Sequence, residues 1–180
     1  GITEQGSLVR KQLYSTYSWE NINPFPKNES KPINHFKIYN NIIYIVANNW
    51  IYTYNLNDKK FDVLFRSCCV YYIDVTGINN NNVIYGIGTD YNIWEYRISE
   101  GRWRKISGQF KAKQLKITSI NFGDSIPLNI AIVNDFKGQM WWMMWNISKK
   151  GIPIWRKIPN KSEILYFDIA DYNTAESKVY

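Results

Sequence analysis

The chain has 180 residues, of which 45% are apolar and 17% aromatic, and its formal net charge is +7. That suffices for one domain with a packed core and excludes disordered and disulfide-stapled classes, since the only cysteines are the adjacent Cys68 and Cys69. No apolar run approaches the ~20 residues of a membrane helix, and the positive charge suits acidic partners, although an Asn-, Ile-, Lys- and Tyr-rich composition also fits drift in an AT-rich coding sequence.

Read in chain order, the first strand signals are residues 8–13 and Trp19-Glu20-Asn21-Ile22. Four short apolar or alternating runs follow at residues 35–38, 42–46, 51–56 and 61–64, with Asn48-Asn49 as the turn before the third. The clearest set lies in residues 72–108. Its runs are 73–76, 83–87, 93–98 and 103–106, separated by polar turns at 79–82, 89–92 and 99–101. The pattern returns at 115–119, 129–133, 140–147 and 155–158, with an insertion at 149–153. Residues 167–170 and Val179-Tyr180 begin one more unit. No segment has a convincing helical period, and residues 109–116 read as a connection.

Trp19, Phe61, Trp103 and Trp155 are equivalent, each followed three residues later by Ile or Leu, at spacings of 42, 42 and 52 residues. A four-stranded meander repeating at this period predicts an all-β fold: a small β-propeller of about four four-stranded antiparallel blades in one domain over residues 1–180. The expected units are 34–66, 72–108, 115–159, and 166–180 joined with 1–22. The last blade is split between the termini, because reading from Tyr180 into Gly1 continues the repeat, and closure removes two open sheet edges. Such closure would bury Trp19 against strands from the far end of the chain. The bulky fourth-strand aromatics are expected to pack between blades.

The unit 72–108 carries Ile73-Asp74-Val75, Ile84-Tyr85-Gly86-Ile87, Asp90 to Ile93, and Trp103-Arg104-Lys105-Ile106 with Gly108. In these residues it resembles the tectonin repeat shared by tectonins, tachylectins and related fungal lectins. The other units match more loosely. The resemblance implies a propeller that binds carbohydrate, bacterial surface sugars or lipid headgroups, or one that serves as an interaction platform. Members of that family more often have five or six blades, so the segment also fits part of a larger ring.

Enzyme signatures are missing. His35 is the only histidine, which excludes a multi-histidine metal site, and no phosphate-cradling glycine loop occurs. Asp74 and Asp168 occupy equivalent repeat positions and are expected to serve the blade rather than act as a catalytic pair. The expectation is a non-enzymatic, lectin-like module without cofactor or metal. Third-strand aromatics Tyr52, Trp94 and Trp141 each follow a polar turn, and an aromatic face beside short carboxylates or amides suits a sugar. The candidate ligand-binding residues are therefore Asn49, Tyr52, Asp90, Asn92, Trp94, Asp135 and Trp141, with core packing as the competing role of the aromatics. The fourth unit offers only Gln5 and Val9 there.

Expected partners are a glycan or glycoconjugate, and other proteins through an aromatic patch around Trp142 and Trp145. A structural or protein-interaction propeller is the alternative, and electrostatic binding to nucleic acid or anionic membrane is a third reading. Arg104-Lys105 and Arg156-Lys157, on fourth strands, read either as edge protection or as a basic rim.

Overall fold

The computed structural model describes residues 1–11, 19–22, 24–25, 31–66, 70–78, 81–107, 109–120, 128–146, 153–159, 162–164 and 166–167, and among them every regular element is a β-strand. The chain divides into two units, Gly1–Tyr72 and Ile73–Tyr180.

The first unit contains β1 (Leu8–Arg10), β2 (Glu20–Ile22), β3 (Ile33–Tyr39), β4 (Ile42–Ala47), β5 (Trp50–Asn55) and β6 (Phe61–Phe65). β1 and β2 form an antiparallel pair with Leu8 opposite Ile22, while β3 to β6 form a four-stranded meander in sequence order. Two asparagine pairs set its register. Asn40 and Asn41 have φ of 48° and 58°, and Asn48 and Asn49 have 54° and 60°. Consecutive left-handed residues make the two-residue hairpin turn whose twist matches that of the strands, and asparagine tolerates that conformation better than most side chains. Tyr39 therefore pairs with Ile42, and Ala47 with Trp50. Leu8, Phe25, Ile33, Ile43, Ile45, Ala47 and Tyr52 form the buried cluster of this unit.

The second unit holds two more four-stranded meanders. One comprises β7 (Val70–Ile78), which opens at the junction, β8 (Asn81–Gly88), β9 (Ile93–Arg97) and β10 (Arg102–Lys105). The other comprises β11 (Ala112–Ile120), β12 (Leu128–Asp135), β13 (Met140–Asn146) and β14 (Arg156–Lys157). The ladders from β8 to β10 and from β11 to β14 are antiparallel between sequence neighbours, and β7 lies beside β8, so each repeat is one blade-like sheet. The protein is thus all-β, and each of its four-stranded sheets has the meander order of a propeller blade.

Polar groups tie the two meanders of the second unit together. Asp74, buried on β7, accepts from the N–H of Val75 at 3.0 Å and from the N–H of Ile117 on β11 at 2.9 Å. An edge-strand N–H would otherwise be left unpaired, so the blade-serving role expected for Asp74 has a direct physical basis here. Asn129 on β12 donates to the buried Tyr85 hydroxyl at 2.9 Å, and burial pushes the Tyr85 phenol far up from its ordinary pKa. Trp155 donates its indole N–H to the carbonyl of Ile106 at 2.9 Å. Glu95, fully buried on β9, is matched by Arg97 and Arg104.

Among the fourth-strand aromatics, Phe61 packs against Phe25, Trp103 lies 5.1 Å from Tyr96, and Trp155 is buried. Trp19 departs from the pattern at 62% exposure. Of the C-terminal strands that ring closure would place over it, only Phe167 is among the described residues, buried against Ile132 and Met140 with its carbonyl accepting from Gln114 at 2.7 Å; residues 168–170, Asp168 among them, and Val179-Tyr180 fall outside them. So do Cys68, Cys69 and residues 149–152.

Candidate ligand-binding site

The site lies in the second unit, where the turn that leads into β9 meets the equivalent turn into β13. Both turns begin with an aspartate. Asp90 accepts from the N–H of Asn92 at 3.0 Å, from its side-chain amide, and from the indole N–H of Trp94 at 3.2 Å. Asp135 accepts from the N–H groups of Lys137 and Gln139 at 2.8 and 3.0 Å, and from the indole N–H of Trp141 at 3.0 Å. The same carboxylate–indole clasp therefore recurs in adjacent repeats. Burial alone would raise the Asp90 carboxyl, but the donors from Asn92 and Trp94 outweigh it and hold the group below the ordinary carboxylate pKa. Gly88 makes room for the first clasp, since a Cβ there would stand 2.5 Å from Asp90 Oδ1 and 2.8 Å from Trp94 Nε1.

In each turn the residue after the aspartate is an exposed aromatic. Tyr91 and Phe136 are 44% and 54% exposed, and their rings meet edge to face at 4.9 Å. Tyr91 has φ of 59°, a left-handed conformation that an aromatic residue seldom adopts. Its backbone is fixed on both sides: its N–H donates to the carbonyl of Gly88, and its carbonyl accepts from the N–H of Ala112 at 2.8 Å. Lys111 adds a hydrogen bond to the Asp90 carbonyl at 2.8 Å. The strained residue is held where its ring faces the neighbouring repeat.

Below these two rings opens a cleft of about 840 Å³, within the range of small-molecule sites. Phe110 and Trp141 stack in its wall at 4.6 Å and 19°, with Trp155 edge-on behind Phe110. Lys157, directly opposite Trp141 in the ladder, places its ammonium 5.3 Å from the Trp141 ring centre. Lys111 and Lys137 complete the basic lining. The chain matches no protein-family model and no curated protein. Among the described residues no cluster of His, Cys, Asp or Glu is arranged to hold a metal ion.

Of the residues singled out from sequence, the structure brings Asp135 and Trp141 into this cleft. Asp90, Asn92 and Trp94 form the clasp beside it, with Asn92 buried and its amide spent on Asp90. Asn49 and Tyr52 belong to the first unit. Asn49 is the second left-handed residue of an exposed turn. Tyr52 is fully buried, with Phe25 edge-on at 5.3 Å, Phe61 stacked at 5.4 Å, and its hydroxyl accepting from Lys31 at 2.8 Å. Its ring face is a core surface and is closed to a ligand.

Tyr91, Phe110, Phe136 and the three lysines were not among the expected residues. The aromatic pair had a legible signal, because Asp90-Tyr91 and Asp135-Phe136 are the same dipeptide type at the same place in successive repeats. The basic pairs also do more than guard strand edges. Arg104 neutralises buried Glu95 and lies 5.8 Å from the Trp145 ring, and Arg156 lies 5.9 Å from Trp142.

Proposed function

We propose that this chain is a non-enzymatic carbohydrate-binding module of tectonin-like repeats, and that its ligand enters the cleft between the turns at Tyr91 and Phe136. The observation that carries the reading is the exposed, edge-to-face pair formed by equivalent residues of adjacent repeats, one of them held at φ of 59°. Strain of that kind costs about 1–3 kcal/mol and persists where the surroundings over-determine it, often at a binding site. Rings that stay half-exposed above a cleft offer the apolar faces on which pyranose C–H groups stack, while surrounding amines and amides address hydroxyls. A glycan array probed with the wild-type chain and with Phe136→Ala tests this. Binding that the variant loses while its melting temperature falls by no more than about 2–6 °C supports the proposal; an array without any binder, or one indifferent to the variant, removes it.

A second reading, a protein-interaction propeller, is favoured by a separate feature. Leu128, Trp142, Met143, Met144, Trp145, Ile154 and Arg156 line an apolar groove of about 410 Å³, along which Met144 and Ile154 are 46% and 73% exposed. Substitution of Ile154 with Glu would abolish a protein partner while leaving glycan binding intact.

A further inference from the structure

We infer that the cleft takes an acidic saccharide, one whose pyranose ring carries a carboxylate or a sulfate. This rests on the carbohydrate reading above and narrows it to a ligand class. The hydrogen-bond inventory of the cleft is lopsided. Its lining holds three lysines, Lys111, Lys137 and Lys157, and a single carboxylate, Asp135. That carboxylate already receives three N–H donors from within its own repeat, out of roughly four lone-pair positions. The neighbouring Asp90 carboxylate is occupied in the same way by Asn92 and Trp94. Sugar hydroxyls bound in a neutral-sugar site need acceptors as well as donors, and here the carboxylate acceptors are largely consumed, which leaves the weaker amide and phenol oxygens of Gln109, Gln139 and Tyr91 in the lining.

The donors, by contrast, are in surplus. None of the ion pairs among the described residues engages Lys111, Lys137 or Lys157. Lys111 spends one of its N–H groups on the Asp90 carbonyl, which pins its ammonium at the turn beneath Tyr91. Lys157 is placed over Trp141. An anionic group on a sugar would meet charge-assisted hydrogen bonds that a neutral hydroxyl cannot form. The lysines converge on one cleft of about 840 Å³, whereas a nucleic-acid backbone asks for cations tracking along a strand.

The test uses the whole 180-residue chain and methyl pyranosides in matched pairs, each neutral sugar beside its 6-carboxylate and 6-sulfate forms, with inorganic sulfate as the bare anion. Affinities come from titration calorimetry, and the location from amide and indole shifts in nitrogen-15 spectra. The expected result is that at least one acidic form binds about tenfold more tightly than its neutral partner. The gap should narrow as salt is raised. Lys137→Gln and Lys157→Gln should each weaken the acidic sugar severalfold and the neutral one by a smaller factor, so that the gap between the paired sugars narrows. Equal affinities within every pair, with silent lysine variants, would overturn the acidic class and leave the carbohydrate reading standing. Inorganic sulfate binding as tightly as the acidic sugar would mean a bare anion site and overturn the proposal. If no saccharide shifts the cleft resonances and the glycan array is also blank, the carbohydrate reading fails and this inference with it.

Discussion

Replacing Tyr91 separates stability from binding, because the structure gives that residue two opposing energetic roles. Its left-handed backbone, with φ of 59°, costs about 1–2 kcal/mol for an ordinary side chain and much less for asparagine. Its edge-to-face contact with Phe136 at 4.9 Å returns about 0.5–1.5 kcal/mol. In Tyr91→Asn the relief of strain and the lost contact nearly cancel, so the net change in folding stability should stay within about 1 kcal/mol. For a chain of this size that is a melting shift of no more than ~2–4 °C. A buried aromatic would cost about 3–5 kcal/mol instead. Thermal unfolding of Tyr91→Asn, Phe136→Ala and the double variant closes a cycle, whose coupling should equal the ring contact, about 0.5–1.5 kcal/mol. Glycan binding should fall in both single variants. A melting temperature lowered by more than ~10 °C, or binding untouched in Tyr91→Asn, would show that the ring is there to hold the fold.

Two further outcomes follow from the polar groups. Asp74→Ala should destabilise the second unit by about 2–3 kcal/mol, since a charged acceptor is removed and a buried N–H is left without it. Asp74→Asn should rescue little, because both carboxylate oxygens face N–H donors and an amide nitrogen would oppose one of them; chemical denaturation measures both. The Asp90 clasp sets an acid limit. Its folded pKa lies below 3.8, so its contribution to stability is complete above the unfolded value and is lost as pH falls through the lower folded one. The Trp94 indole N–H resonance should therefore titrate with a midpoint below 3.8, and a midpoint at or above it would contradict the clasp.

The four-strand period was open to reading because local chemistry writes it. Asn48-Asn49, and Tyr91 after Asp90, take left-handed backbone between apolar runs, and those runs follow the strand period rather than the helical one. The aspartate–tryptophan pairing was also visible as a recurrence, but its direction was not. A carboxylate beside an indole reads as a ligand site from sequence, whereas in the fold it spends itself on its own turn and on the indole N–H. Tyr52 and Trp141 share one repeat position and differ in exposure because of residues far away in sequence. Phe25 closes over Tyr52, while Phe110 stacks beside a Trp141 that stays only partly buried. The cleft lysines come from a connection, a turn and a fourth strand, and no sequence spacing unites them. Pairing of the N-terminal strands was partly readable, as the union of Leu8 with Ile22 shows.

The most direct test of the account is where a bound saccharide sits. Nitrogen-15 spectra of the wild-type chain, titrated with the strongest array ligand, should show the largest shifts at Tyr91, Lys111, Phe136, Lys137 and the Trp141 indole, with the Trp142 and Trp145 indoles unmoved. Shifts confined to the groove around Trp142, Met144 and Ile154, or spread evenly over the lysines of both units, would contradict a saccharide site between these two turns.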